Sequence, residues 1–445
     1  MMTTIKLKKG FNLKLKGGLD GSAESLQATS VKVVAVVPDD FQGITPRLDK
    51  KEGDRVKAGE PIYHDKEHDS IKVVSPVAGV VKEVKRGERR KIESIVIECD
   101  GSQETVKHDI KSPVKDTLLA SGLWPLMRQR PYDVVPSPEV RPRDIFVTAF
   151  DSAPLAMSLM SVAAPLMKYA AQGVKALQSL TDGNVHVCFK KGEETEVEGA
   201  QCHIVDGPHP AGNAGVQIAN IAPVNKGEVV WTLDIVTLCR VGELFATGQV
   251  SFNTSVALVG ECVEKPIVIN TVMGCSLNDV LEGRLTCDAS ECRIINGNVL
   301  TGAKTPADGW LRAPYRQVTV IPEISKKDEF MGWASVNPNR YSIHRMFTTW
   351  LAGKRNKECR MDARVKGGER AIVCLGEYDK MLPMDIYAEF LIKAIIAFDI
   401  EKMENLGIYE VAPEDFALAE YADTSKLELQ RIVREGLDKM LAEMS

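Results

Sequence analysis

The chain has 445 residues, enough for two to four domains at roughly 100–200 residues each. Lys+Arg 56 against Asp+Glu 61 gives a formal net charge of −5, which argues against nucleic acid as the main partner. Hydrophobic content of 44% and charged content of 26% exclude wholesale disorder, and ten scattered cysteines without a C-x-x-C pair suit reduced thiols better than a disulfide frame.

In chain order, Ile5, Leu7, Phe11, Leu13 and Leu15 mostly alternate with polar residues, the pattern of a half-buried strand. No apolar h-region follows Lys6, Lys8 and Lys9, so no signal peptide is read. Up to about Ile110 the sequence is strand-rich and glycine-studded, with Val31 to Val37 as a buried strand and Lys85-Arg86-Gly87-Glu88 as a charged hairpin turn. Gly53-Asp54-Arg55-Val56-Lys57-Ala58-Gly59-Glu60-Pro61, followed by Ser75-Pro76-Val77-Ala78-Gly79, resembles the barrel-sandwich fold of biotinyl and lipoyl carriers. Lys66 stands ten positions before Pro76, too far for a carrier lysine, and the swinging-arm reading is rejected.

From Lys111 to Arg143 six prolines make the chain loop-like and mark a boundary. A βαβ-like unit follows: Asp144 to Ala149 a strand, Leu155 to Leu180 largely helical, Val185 to Phe189 a strand. The segment Ala153 to Ala171 holds two prolines and Lys168, so it is not read as a membrane span. Ile204-Val205 runs into Gly207-Pro208-His209-Pro210-Ala211-Gly212, which cannot be helical across its prolines. Val229 to Leu233 and Val256 to Val259 complete the strands of this α/β unit. Pro266 to Ile269, Ser276 to Leu281 and Cys292 to Ile295 read as strand, short helix and strand of a small β-grasp module. Beyond Trp333 the chain turns helical, with a nearly buried helix from Pro383 to Glu404 and an amphipathic one from Leu427 to Met444. The fold class expected is thus α+β and multi-domain. It comprises a barrel-sandwich-like N-terminal domain (1–115), a Rossmann-like α/β domain (116–264), a β-grasp, SLBB-like module (265–330) and a helical C-terminal domain (331–445).

Chemistry-bearing motifs are few. No G-x-G-x-x-G follows a strand and no P-loop exists. Cys287 and Cys292 are the closest cysteines, and the four closely spaced thiolates of an iron–sulfur cluster are missing. His64-Asp65-Lys66-Glu67-His68-Asp69 could gather metal ligands, but reads as a solvated tip. The basic cluster Lys82, Lys85, Arg86, Arg89, Arg90 and Lys91 is interrupted by Glu83 and Glu88 and reads as a solvated hairpin. Leu300-Thr301-Gly302-Ala303 resembles a threonine flavinylation site, yet lacks its flanking Asp and Thr and reads as a plain turn. In the Gly207-to-Gly212 segment two prolines fix His209 and the glycines admit close approach. Its neutral imidazole could hydrogen-bond a carbonyl such as a quinone's, or serve as a rigid packing corner satisfied internally.

In order, Ile5-Lys6-Leu7-Lys8-Lys9-Gly10-Phe11-Asn12-Leu13, Gly207-Pro208-His209-Pro210-Ala211-Gly212, Gly242-Glu243-Leu244-Phe245-Ala246-Thr247-Gly248, Phe330-Met331-Gly332-Trp333, Tyr341-Ser342-Ile343-His344-Arg345 and Met381-Leu382-Pro383-Met384-Asp385-Ile386 resemble the A subunit of the bacterial sodium-translocating NADH:quinone reductase. The resemblance implies a peripheral subunit without a transmembrane segment, on the cytoplasmic face of the bacterial inner membrane. Its implied partners are the other five subunits, most of all one integral to the membrane, and no nucleic acid. Ubiquinone is the implied substrate, with NADH, flavins and iron–sulfur centres in partner subunits and no catalytic residue, cofactor or metal ligand in this chain. It also implies an architecture like the flavin subunit of complex I, whose acidic glycine-bearing loop corresponds here to Phe150-Asp151-Ser152-Ala153-Pro154. Gly207, Pro208, His209, Phe150 and Asp151 are therefore the candidate quinone-facing residues. Many family members carry a cysteine before Pro-x-Lys where this chain has Asp423-Thr424-Ser425-Lys426. A stand-alone flavin- or NAD-dependent oxidoreductase and a cofactor-free scaffold are the alternatives.

Overall fold

The computed structural model describes residues 2–20, 25–27, 31–313, 315–323, 343–344 and 358–444. Phe330 to Trp333 and, except Ile343 and His344, the Tyr341-to-Arg345 motif lie outside them, as does the expected start of the helical part after Trp333.

The chain opens with strands β1 (Thr3–Lys6) and β2 (Ser25–Gln27). The alternation from Ile5 to Leu15 predicts one longer strand, but only Thr3–Lys6 is extended in a sheet. Gly10 turns the chain at φ +107, and its N–H donates to Lys380 O instead of continuing a ladder. Seven strands follow: β3 (Val33–Val36), β4 (Pro46–Leu48), β5 (Arg55–Val56), β6 (Pro61–Asp65), β7 (Lys72–Val74), β8 (Gly79–Arg86) and β9 (Ile92–Cys99). They form a four-stranded sheet, β3-β9-β8-β5, and a three-stranded one, β4-β6-β7, around Val34, Ile62, Tyr63, Ile95 and Ile97. Lys66 is exposed beyond β6. On the basic β8–β9 hairpin Lys82, Lys85 and Lys91 pair with Glu98, Glu93 and Asp39.

The proline-rich stretch is more ordered than its composition predicts. Between Pro113 and Pro125 it fits helix α1 (Val114–Ala120), and before Pro131 it supplies strand β10 (Arg128–Arg130). Prolines delimit these short elements from outside, where no backbone donor is needed. Next come β11 (Asp144–Thr148), α2 (Leu159–Ala163), α3 (Ala170–Gln178), β12 (Val185–Lys190), β13 (Gln201–Asp206), α4 (Ala214–Ile221), β14 (Val230–Asp234) and α5 (Ile235–Thr247). The six-stranded sheet runs β1-β13-β12-β11-β14-β10, parallel except for β10. Ile145, Phe146 and Val147 of β11 are fully buried, as a strand covered on both faces requires.

A second six-stranded sheet contains β15 (Asn253–Val259), β16 (Ile267–Val272), β17 (Cys292–Asn296), β18 (Ala303–Thr305) and β19 (Gln317–Pro322) in the order β18-β17-β19-β15-β16-β2, with α6 (Leu277–Leu281) beside it. Val256 to Val259, expected in the α/β unit, belongs here: β15 pairs with β16 and β19, and its apolar run fills this second core.

The last part holds α7 (Glu377–Met381), α8 (Ala388–Ala397), α9 (Ile400–Asn405), α10 (Ala417–Ala422) and α11 (Leu429–Met444). The helix expected from Pro383 to Glu404 is broken in two. Phe398 adopts the left-handed conformation at φ 51, and Asp399 caps α9 by accepting from Lys402 N at 3.2 Å. Burial is one-sided: Leu391, Ile392 and Ile395 face the core, whereas Phe390 and Ile396 are 55% and 57% exposed. Among the described residues no helix is long and apolar enough to cross a membrane.

Candidate functional site

From β11 the parallel sheet is built in both directions, β12 and β13 to one side and β14 to the other. The segments leaving β11 and β14 therefore diverge and open a crevice beyond their carboxyl ends, the usual ligand position in such sheets. A cleft of about 480 Å³ lies there. Thr148, Phe150 and Asp151 from the end of β11 and Thr232 to Asp234 from β14 form its floor, and His209, Arg128, Arg130, Thr301, Tyr315, Arg316 and Glu414 enter from other segments.

His209 is fixed from several directions. Its backbone N–H donates to Asn12 Oδ1 at 2.8 Å, and Gly212 N donates to Ser152 Oγ at 2.8 Å. Gln217 on α4 reaches Thr148 at the end of β11 and donates to the carbonyls of Ala211 and Gly212, both at 3.3 Å. A Cβ at Gly212 would lie 2.6 Å from Ser152 N, so only glycine lets these loops meet. The ring itself is 3% exposed, with Nδ1 3.0 Å from Ser152 Oγ. Burial lowers its pKa to about 4, so the imidazole is neutral at physiological pH. Ser152 Oγ already accepts the Gly212 amide and its own hydrogen can go to Nδ1; in that tautomer the ring proton sits on Nε2. Nε2 is buried and has no hydrogen-bond partner among the described residues. A buried donor without an acceptor is costly, and a ligand carbonyl would relieve it.

The rest of the wall is charged but internally paired. Asp234 both caps α5, accepting from Thr237 N at 2.7 Å, and pairs with Arg316. Desolvation opposes its ionisation, but Arg316 outweighs this and holds its pKa below the ordinary value. Arg130 is 1% exposed and reaches Glu414 at 3.2 Å and Asp415 at 3.4 Å. Desolvation and the adjacent Asp415 carboxylate push Glu414 up. Asp151 stands exposed at the mouth, with Oδ1 accepting from Ala153 N at 2.7 Å.

Of the five candidate residues, the fold gathers His209, Phe150 and Asp151 on one cleft. Gly207 and Pro208 do not line it. Gly207 packs on Leu7, where a Cβ would lie 2.6 Å from the Leu7 Cβ, and the pair locks the N-terminal segment in place. No sequence signal points to Arg128, Arg130, Arg316 or Glu414, which arrive from an edge strand, a second sheet and a remote helix start. Thr301 lies in the expected turn, its N–H donating to Asn298 Oδ1 at 3.0 Å, yet that turn borders the cleft. Elsewhere, His64 is taken up by Asp49 at 2.7 Å on the hairpin. At the position of the absent C-terminal cysteine, Asp423 accepts from Ser425 N and Leu427 N, both at 2.9 Å.

Three family models match the chain: the NqrA N-terminal barrel-sandwich hybrid domain over residues 5–100, the NqrA second alpha/beta domain over 110–250 and the NQRA C-terminal domain over 255–307. The chain is 34% identical over 453 residues to the A subunit of the Na(+)-translocating NADH-quinone reductase of Neisseria meningitidis serogroup C, with 98% of each chain covered. It is 34% identical to that of Marinomonas sp., with 97% of this chain and 98% of the relative covered. Identity to that of Yersinia pestis bv. Antiqua is 33%, with 98% and 99% covered. Among solved structures, an NAD+-reducing NiFe hydrogenase in the air-oxidised state aligns at a TM-score of 0.37 and 12% identity, over 75% of this chain and 62% of its own. That likeness is too weak to carry an inference.

Proposed function

We propose, because the chain belongs to the family of the Na(+)-translocating NADH-quinone reductase A subunit, that it works within a sodium-pumping NADH:ubiquinone reductase and contributes its quinone-binding surface. In this reading the chain sits peripherally on the cytoplasmic face of the inner membrane, against an integral membrane subunit, with four further partners. Its working units are the sandwich of β3 to β9, the Rossmann-like sheet built on β11, the β-grasp-like sheet of β15 to β19 and the helical part from α7 to α11. Electrons arrive from NADH through flavins and iron–sulfur centres held by partners, and this chain contributes no redox cofactor of its own.

The observation that carries the quinone reading is the buried Nε2 of a neutral His209, without a partner among the described residues, on the wall of a cleft at the sheet's switch point. A quinone carbonyl would accept from Nε2, and the Phe150 ring would offer an apolar wall. Asp151, exposed at the mouth, is placed to pass a proton from solvent as the quinone oxygens are reduced. Gly207 and Pro208 act one step removed, by holding the corner that orients the histidine.

A photoreactive ubiquinone analogue, crosslinked to the assembled complex and mapped by mass spectrometry, tests this. Label on 150–153 and 208–213, competed by ubiquinone and reduced at least tenfold by His209→Ala, is expected. Label confined to other subunits would sink the quinone assignment and favour a scaffold role.

A further inference from the structure

Ten cysteines look scattered in the sequence, but three of them converge. Cys262 follows β15, Cys287 lies in the loop after α6, and Cys292 opens β17. Their sulfur atoms all lie within 4.8 Å of one another, with Cys287 Sγ and Cys292 Sγ 2.8 Å apart. Among the described residues this is the one group of three side chains able to hold a metal ion.

The backbone fixes this convergence. Cys262 N donates to Val320 O on β19 at 3.2 Å, and Thr286 N, next to Cys287, donates to Cys262 O at 3.0 Å. Val263 and Leu285 form a bridge beside them, and Cys292 is paired with Pro322 in the sheet. The segment after β15 and the stretch that carries Cys287 and Cys292 thus present three thiols to one point from backbone-bonded supports, which is how a metal site is preorganised. Cys262 and Cys292 are 5% and 6% exposed, while Cys287 is only half-buried. The point of convergence is therefore walled on two sides and reachable from solvent on the third.

We propose that Cys262, Cys287 and Cys292 form a trithiolate site for a single thiophilic metal ion of the zinc class, with solvent or an external donor completing the coordination. Sulfur-only ligation selects soft or borderline cations over magnesium, calcium or sodium. Zinc–sulfur bonds of about 2.3 Å place tetrahedral thiolate sulfurs about 3.8 Å apart, so the Cys287–Cys292 pair opens by about 1 Å on loading. Binding exchanges three thiol protons for one divalent ion, M2+ + 3 Cys–SH giving an M(S–Cys)3 unit of charge −1 and 3 H+. The ligand is the thiolate and not the thiol, so loading releases protons and the affinity rises with pH. The site stands apart from the quinone cleft, and its test does not depend on quinone chemistry.

Zn(II) is titrated into the reduced full-length chain against a chromophoric chelator, and Co(II) into a parallel sample for its absorption spectrum. One equivalent of Zn(II) is expected, with an affinity that rises at least about tenfold per pH unit. Sulfur-to-cobalt charge-transfer bands report thiolate ligation directly, even where a variant folds poorly. Cys287→Ser should weaken binding at least about a hundredfold, and Cys99→Ser, outside the cluster, should leave it unchanged. Zn(II) uptake equal in wild type and Cys287→Ser, or cobalt spectra without charge-transfer bands, would overturn the proposal. So would a Cys287–Cys292 disulfide in the air-exposed chain whose reduced form takes up no metal, which would make the pair a redox couple.

Discussion

The imidazole of His209 is a base in a dry place, and that alone makes the chain acid-sensitive. Its pKa is lowered from 6.5 to about 4 by burial. Above pH 6.5 the ring is neutral in both folded and unfolded chains and contributes nothing to the pH dependence. As pH falls from 6.5 towards 4, the unfolded chain takes up the proton first, so stability is lost, by about 3 kcal/mol in all. His203, lowered to about 4 in the same way, adds to the trend. His209→Gln removes one share: between pH 7 and pH 5 the variant should lose about 2 kcal/mol less stability than wild type in denaturant unfolding. Equal losses would show that the ring is not buried neutral. This is also where the sequence was most informative about the site. Prolines on both sides of His209 declare a fixed ring, and Phe150-Asp151 declares a strand end, because both signals are local. The arginines opposite them are invisible in sequence, since Arg130 meets Asp415 across 285 positions. The approach of Cys262 to the Cys287–Cys292 pair is likewise a product of the fold and carries no local sequence signal.

At the scale of elements, the α3–α5 crossing explains a motif that the sequence displays without explanation. In Gly242-Glu243-Leu244-Phe245-Ala246-Thr247-Gly248 the two glycines do different work. Gly248 ends α5 at φ +75, its N–H donating to Leu244 O at 2.8 Å. Gly242 lets the neighbouring segment touch the helix backbone: a Cβ there would lie 1.9 Å from Tyr169 O. Gly242→Ala must therefore push α5 away from the segment leading into α3, at a cost of about 3 kcal/mol by thermal or denaturant unfolding. Gly53→Ala is the comparison. It sits at φ +89 with nothing within 4 Å of an added Cβ, so only backbone strain of about 1 kcal/mol applies. Equal costs at the two sites would refute the close crossing. Periodicity found most elements here because apolar spacing reflects burial. It failed at α8 and α9, where one apolar run spans two short helices. Phe390 and Ile396 count as core in a hydrophobicity pattern but face outward, and the break at Phe398 comes from backbone geometry that composition does not encode.

Over the whole molecule, the described residues 2–20 and 25–27 are a strap rather than part of the sandwich they precede. β1 adds in parallel to β13, and Leu7 N extends the pairing to Asp206 O at 2.8 Å. Gly10 N then donates to Lys380 O at the end of α7, and Leu13 and Leu15 pack with Leu418 of α10. Gly260 N donates to Gly17 O at 2.9 Å, and β2 closes the second sheet by pairing with β16. The alternation from Ile5 to Leu15 shows correctly that this stretch is half-buried. It cannot show against what, because β1's partner strand lies some 200 positions away. The strap also carries Asn12, whose Oδ1 accepts the His209 amide, so it bears on the cleft as well as on the fold. Removal of residues 1–18 should uncover the β13 edge and the Leu418 patch together. Partial burial of Ile5, Leu7, Phe11, Leu13 and Leu15 at ~1.5–3 kcal/mol per fully buried side chain makes the loss on the order of 5 kcal/mol. For units of this size that corresponds to a melting midpoint roughly 10 °C lower. The β3–β9 sandwich has its own two sheets and keeps its strand content, so circular dichroism of the shortened chain should show a weakened α/β part beside an intact sandwich. A midpoint equal to that of the full chain would mean that the two six-stranded sheets and the helical part hold together without the strap.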